Sequence, residues 1–157
     1  VEYEIKKAEL KESVKNVNVK QGLHFDYFER FFVSTEDIDY LTPKESGIMD
    51  IFTIKNAKIE NYFGYQYKGY VNVPKDGIYT FYLESNDGSR LFIDDKELIE
   101  NEANHGAIEE SGTIGLKTGL HHIKVKYFQC GGGKTLKVSM EGPEFPKQEI
   151  SKTKLYH

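Results

Sequence analysis

Between Gly69 and Asp94 the chain alternates apolar and polar positions twice, with a turn between the two runs and a polar corner after them. Tyr70-Val71-Asn72-Val73 is the first run and Tyr79-Thr80-Phe81-Tyr82-Leu83 the second. A period of two predicts strands with one face buried. Pro74-Lys75-Asp76-Gly77 separates them and carries turn chemistry: proline presets one dihedral, aspartate bonds its own backbone, and glycine accepts a positive φ. The next corner, Ser85-Asn86-Asp87-Gly88-Ser89-Arg90, is longer than a tight hairpin needs and gathers polar side chains where the chain reverses. It is the candidate functional site.

The same period recurs along the chain. Gly22 to Tyr27 alternates, and Phe28, Phe31 and Phe32 extend it into a buried strand followed by a bend. Ser34-Thr35-Glu36-Asp37 predicts one short helical turn, with Ser34 as cap and Asp37 reaching back, ended by Thr42-Pro43. Residues 43–57 show no clear period. Ile59 to Tyr67 carries Tyr62, Phe63, Tyr65 and Tyr67, either core or a displayed aromatic patch. Leu91-Phe92-Ile93 and Leu98-Ile99 flank Asp94-Asp95-Lys96, which reads as a tight hairpin. A polar loop, Asn101 to Glu110, precedes a short strand from Ser111 to Leu116. After Lys117-Thr118-Gly119 turns the chain, His121, Ile123, Val125 and Tyr127 share one face. Cys130 to Gly133 reads as a flexible hairpin loop, and Leu136, Val138 and Met140 line the next strand before Gly142-Pro143 ends it. About nine or ten short strands at this spacing, with no long helical period, predict an all-β antiparallel sandwich. Residues 1–20, charge-mixed with Val14, Val17 and Val19, read as a linker or edge strand, and residues 21–157 as the domain.

Composition narrows the functional classes. The 157 residues suit one domain with a real core. Eleven Tyr and ten Phe, with no Trp, favour sheet over helix. A net charge of −4 with both signs interspersed argues against a nucleic-acid surface, which needs a clustered basic field. No apolar run is long enough for a membrane span. One cysteine, Cys130, leaves no internal disulfide. A start at Val1-Glu2-Tyr3, without Met or a secretory hydrophobic segment, reads as a mature product or a piece of something longer.

Several residues invite chemistry. Asn86 and Asp87 suit a metal or sugar-hydroxyl site at a loop tip. The competing reading is a structural corner in which Asp87 accepts the N–H groups of Gly88 and Ser89 and pairs with Arg90. Asp94 and Asp95 are adjacent carboxylates, but neighbouring strand residues point to opposite faces, which favours a hairpin turn over chelation. His105, His121 and His122 fit no zinc spacing. Gly131-Gly132-Gly133-Lys134-Thr135 matches the end of a phosphate-binding loop, but its first glycine would fall on Phe128 and it leads into a strand. Tyr62, Tyr65, Tyr67 and Tyr70 could stack on sugar faces or fill the core. No nucleophile motif is present, and Cys130 lacks an obvious base.

The pattern Gly69-x-Val71-x-Val73-Pro74-Lys75-Asp76-Gly77-x-Tyr79-x-Phe81, followed by Ser85-Asn86-Asp87-Gly88-Ser89-Arg90-Leu91-Phe92-Ile93-Asp94, resembles the PA-fourteen domain, the β-sandwich module named after the anthrax protective antigen. Asn101 with His105, Gly119-x-His121, Tyr127-Phe128 and Leu136-x-Val138 extend the likeness, as does Leu23 to Phe28, so that it covers roughly residues 20 to 157. The resemblance implies a non-catalytic module that binds or shapes access to carbohydrate. Such modules are appended to exported glycoside hydrolases of the β-glucosidase or β-hexosaminidase type, and occur in toxins and adhesins. The implied partners are a glycan and a catalytic domain of the same parent chain, and the implied location is the periplasm, cell surface or exterior. In the sugar-binding adhesins two consecutive aspartates, joined by a cis peptide, hold calcium. Here Asp87 matches the second and Asn86 replaces the first, so an oxygen is kept and a negative charge lost. The resemblance therefore assigns a calcium site to Asn86 and Asp87 and a glycan site to Asn86, Asp87, Asn101 and Gln129. The loop Gln129 to Gly133 lacks the Asn and Trp that the adhesins use. A structural or protein-interaction module with no ligand of its own is the alternative.

Overall fold

A computed structural model describes residues 10–157. The part of the 1–20 linker or edge strand that precedes Leu10 lies outside the described residues. Two eleven-residue strands form the spine, β3 (Phe63–Val73) and β8 (Gly119–Gln129). They pair antiparallel over their full length, from Phe63 opposite Gln129 to Val73 opposite Gly119. The alternation read from the sequence decides their faces: His121, Ile123, Val125 and Tyr127 are buried on the inner side of β8, while His122 is exposed on the outer side.

The remaining strands are β1 (Leu23–Glu29), β2 (Glu45–Met49), β4 (Gly77–Asn86), β5 (Ser89–Ile93), β6 (Lys96–Asn101), β7 (Ile108–Leu116), β9 (Thr135–Gly142), β10 (Phe145–Glu149) and β11 (Leu155–Tyr156). The larger sheet runs β2-β1-β3-β8-β5-β6, with β11 beside β3; the smaller runs β10-β9-β4-β7. All of the named strand pairs are antiparallel. The two inner faces meet in one core around Tyr65, Tyr67, Tyr79, Phe81, Leu91 and Val125. This is the all-β antiparallel sandwich expected from the strand spacing.

The core is unusually rich in tyrosine, and buried hydroxyls need partners. Tyr67 donates to the Thr53 carbonyl at 2.7 Å and Tyr79 to the Lys75 carbonyl at 2.5 Å, so each ring also anchors an irregular segment. Tyr27 donates to the Glu29 carboxylate at 2.8 Å, and burial together with that acidic neighbour pushes its hydroxyl up to about 12.

Some elements differ from the sequence reading. β2 lies within the stretch without period; it is a mostly exposed strand at the sheet edge, so no alternation is imposed on it. β1 ends at Glu29, and Phe31 is 58% exposed rather than buried. Ser34 does cap a turn, Thr35–Tyr40, by accepting the Glu36 N–H, but the turn is 3-10 and Asp37 reaches back only through its backbone N–H to the Ser34 carbonyl. A second 3-10 turn spans Lys152–Lys154. The tail after Gly142 adds β10 and β11. Lys11 and Val14 bridge Leu116 and Leu120, and Lys20 exchanges backbone bonds with His157.

Candidate functional site

Strand pairing alone brings the Asn86-Asp87 corner to the Gln129 loop. β4 pairs with β9 and β5 with β8, so the link from β4 to β5 and the link from β8 to β9 lie side by side at one end of the sandwich. Each crosses from one sheet to the other. Cys130 to Gly133 is therefore a sheet-to-sheet link and not a hairpin loop, because β8 and β9 belong to different sheets.

Hydrogen bonds lock the two links together. The Asp87 N–H donates to the Phe128 carbonyl at 3.2 Å and the Phe128 N–H to the Gly88 carbonyl at 2.9 Å. The Cys130 N–H donates to Asp87 Oδ2 at 2.6 Å. The Tyr127 hydroxyl donates to the Asn86 carbonyl at 2.6 Å. Burial, and then the Asp87 charge, push both the Tyr127 hydroxyl and the Cys130 thiol up, which keeps both neutral. Inside the corner the Ser85 hydroxyl lies 2.7 Å from the Asp87 carbonyl and 2.6 Å from the Ser89 hydroxyl. The Asn86-Asp87 peptide is cis.

Asp87 is only 2% exposed. Its carboxylate accepts from Cys130 in the facing loop, and not from Gly88 or Ser89 as the structural-corner reading expected. Arg90 does not pair with Asp87. Its guanidinium lies among Glu36, Glu97, Glu100 and Glu102, at 3.4, 2.5, 3.6 and 3.2 Å, on the outer face. Glu102 also accepts the Thr35 hydroxyl at 2.5 Å, tying the 3-10 turn to this cluster.

Asn101 reaches the corner, its amide nitrogen 3.4 Å from the Ser85 hydroxyl. Asn101 is buried, and its amide donates to the Leu83 and Ile108 carbonyls at 3.0 and 2.8 Å, bracing the end of β4 against the start of β7. His105 contacts the Asn101 carbonyl at 3.0 Å. Gln129 is fully buried, and its amide donates to the Gly132 carbonyl at 3.2 Å. Its Oε1 is the one buried side-chain oxygen or nitrogen without a hydrogen-bond partner among the described residues. A side chain on Gly133 would start 3.3 Å from the Asn86 amide nitrogen, so the glycine run lets the loop close onto Asn86.

This donor set can be matched to a hard cation. Asn86, Asp87 and Gln129 all offer oxygens, one orphaned, and oxygen is what calcium takes. The charge supply is thin: among the described residues no group of three or more His, Cys, Asp and Glu is placed to hold a metal.

The tyrosines separate. Tyr65 and Tyr67 are buried in the core, and Tyr70 packs against His122 with ring centroids 4.8 Å apart. Tyr62 is 51% exposed and pairs with exposed Phe31 at 5.9 Å. The neighbouring backbone is tied to the loop: Cys130 Sγ donates to the Phe32 carbonyl at 3.4 Å, and Gln129 to the Glu60 carbonyl at 3.5 Å. Phe31 was missed from sequence because it sits in a run of phenylalanines that reads as core. Asp94 and Asp95 form the hairpin turn expected, with φ of 50° and 66°.

The sequence model of the PA14 domain matches residues 20–154. The chain belongs to the PA14 domain family. This PA14 domain is 30% identical over 127 residues to a Schizosaccharomyces pombe protein named as a candidate beta-glucosidase, covering 71% of the chain and 15% of that protein. It thus spans a small fraction of the length of the curated relative it matches. Among solved structures, an anti-sigma factor domain-containing protein superposes with a TM-score of 0.75 at 23% identity, over 87% of this chain and 48% of that one. The Epithelial Adhesin 9 A domain of Candida glabrata, solved in complex with Galβ1-3GlcNAc, superposes with a TM-score of 0.71 at 13% identity, over 94% and 95% of the two chains. At these identities the structural likenesses establish the PA14 fold. No helix among the described residues is long and apolar enough to cross a membrane.

Proposed function

We propose that residues 21–157, led in by residues 1–20, act as a non-catalytic carbohydrate-binding module of a larger exported glycoside hydrolase. Its glycan contacts lie at the end where the Asn86-Asp87 corner meets the Gln129 to Gly133 loop. The observation that carries the reading is the orphaned, buried Gln129 Oε1 on the loop that packs on that corner, because a buried oxygen without a partner marks a place for a ligand, ion or water. The S. pombe relative's name supports a β-glucosidase-type parent, and the adhesin's bound disaccharide supports a sugar ligand. With no nucleophile motif in its sequence, the module contributes to the parent by holding polymer or shaping access to the active site.

A calcium ion at this corner would be held by Asp87 with the amide oxygens of Asn86 and Gln129, and when bound it supplies coordination for sugar hydroxyls. One carboxylate in place of two predicts an affinity at the weak, extracellular end of the calcium range. Asn101 and Tyr127 act from behind, holding the corner's backbone in place. The exposed Phe31 and Tyr62 rings, on segments whose Phe32 and Glu60 carbonyls bond to the same loop, offer an apolar face for a pyranose.

The second reading is a structural or protein-interaction module. It is favoured by the near-complete burial of Asp87 and by the closed hydrogen bonding of the corner. A glycan panel, probed with the 157-residue chain in calcium and again in chelator, separates the two. Calcium-dependent binding that Asp87→Asn removes, with the circular dichroism unchanged, supports the first reading. Absence of binding in both conditions refutes it and leaves the second.

A further inference from the structure

The outer face of the larger sheet carries a second candidate site, remote in kind from the corner just described. Lys68 on β3 stands directly opposite Lys124 on β8, and Phe92 on β5 stands directly opposite Lys124 on its other side. His24 on β1 continues the same row beyond Lys68. Like charges placed directly across antiparallel strands repel, and a sheet normally sets an opposite charge between them. None stands here. Among the described residues Lys68 and Lys124 have no carboxylate within ion-pair distance, whereas their neighbours do: Lys126 pairs with Asp39 at 2.7 Å, Arg90 with its glutamates, and His24 with Asp26 at 3.1 Å.

The two ammonium groups also share a concavity. A hollow of about 170 Å³ is lined by Lys68, Gly69, Phe92, Asp95, His122 and Lys124, with Ile123 at its base. Its floor is apolar on one side, where the Lys124 ammonium lies 4.7 Å from the Phe92 ring centre and is held in place by it. Burial, and then the neighbouring Lys126 and Lys68 charges, pull the Lys124 ammonium below its ordinary range, against the opposing pull of the Asp39 and Asp95 carboxylates. One carboxylate, Asp95, sits on the rim and opposes an anion.

We infer that this hollow binds an oxyanion, a carboxylate or sulfate group, between the Lys68 and Lys124 ammonium groups, with His122 as an additional donor. The group can arrive as a free inorganic anion or as the acidic substituent of a saccharide; the recognising chemistry is shared. This inference does not rest on the proposed function of the Asp87 corner, and the two sites carry separate tests.

The test is a heteronuclear NMR titration of the 157-residue chain with three probes: sodium sulfate, a trigalacturonate and, at matched ionic strength, sodium chloride. Sulfate and trigalacturonate are expected to shift the amide resonances of Lys68, Phe92 and residues 122–124 saturably, and chloride is not. Lys124→Gln is expected to weaken binding about threefold to fivefold, and Asp95→Asn to tighten it by about twofold to threefold. Asparagine tolerates the positive φ of position 95, so the second variant keeps the turn. Tighter binding of trigalacturonate than of sulfate identifies an acidic saccharide as the source; equal binding identifies the free anion. Chelator leaves either result unchanged, which separates this site from the corner. Equal shifts from chloride, or unchanged affinity in both Lys124→Gln and Asp95→Asn, would overturn the inference.

Discussion

Asp87→Ala is the sharpest probe of how the corner is built. The substitution removes the carboxylate oxygen that accepts the Cys130 N–H at 2.6 Å. That donor is buried beneath the loop, and Cys130 itself is 5% exposed. Deleting one partner of a buried hydrogen bond costs the desolvation of the partner left behind, about 1–3 kcal/mol, and the upper half of that range applies because the acceptor is charged and the bond short. A loss of about 2–3 kcal/mol follows for Asp87→Ala. Asp87→Asn keeps an acceptor oxygen but loses the charge, and a neutral bond is roughly half as strong, so its loss is about 1 kcal/mol. The assay is urea unfolding monitored by tyrosine fluorescence, read at constant slope so that midpoint shifts report stability. For a domain of this size the alanine variant should also melt roughly 5–10 °C lower. If Asp87→Ala unfolds within about 0.5 kcal/mol of the parent chain, the hydrogen bond is not what joins the corner to the loop. Equal losses for the two variants would likewise sink the claim that an acceptor oxygen is what matters.

Two further predictions rest on other contacts. His121 is fully buried; its Nδ1 lies 2.8 Å from Asp94 and its Nε2 2.7 Å from the Lys117 carbonyl. Burial pulls its pKa down, but the Asp94 and Lys117 hydrogen bonds outweigh burial and leave it raised above 6.5. A group whose folded pKa is raised contributes stability that is complete below the unfolded value and is lost as pH rises through the folded one. Unfolding free energy should therefore decline above pH 6.5, and Asp94→Asn should flatten that decline in urea titrations run from pH 6 to 8; a slope unchanged in the variant would refute the pairing. Gly69→Ala should destabilise the domain by at least about 2 kcal/mol, because its Cβ would strike the Tyr156 carbonyl and the Leu23 side chain, and backbone there has little room to yield. A thermal melt unchanged in that variant would show β11 to be free to move away from β3.

The alternation of apolar and polar residues was enough to place most strands, their buried faces and the tight turn at Asp94-Asp95, because in a sheet the period of two is a local property of the backbone. Val71, Val73, Tyr79, Phe81, Ile123 and Val125 all bury as that period requires. The polar corner at Asn86-Asp87 was legible too, since a cluster of turn residues between two strands has a local cause. What the corner meets was not. Its neighbour is decided by β4 pairing with β9 while β5 pairs with β8, and pairing partners far apart in sequence leave no mark in either segment. For the same reason Cys130 to Gly133 reads as a hairpin but crosses between sheets. Arg90 stands beside Asp87 in sequence yet pairs with Glu97 and Glu102. Phe31 and Phe32 are adjacent, yet one is largely exposed and the other buried. The hollow between Lys68 and Lys124 exists only because β3 and β8 align those two positions, far apart in the chain, in one row. Local chemistry thus determined the strands, and the register between distant strands decided which of their side chains share a site.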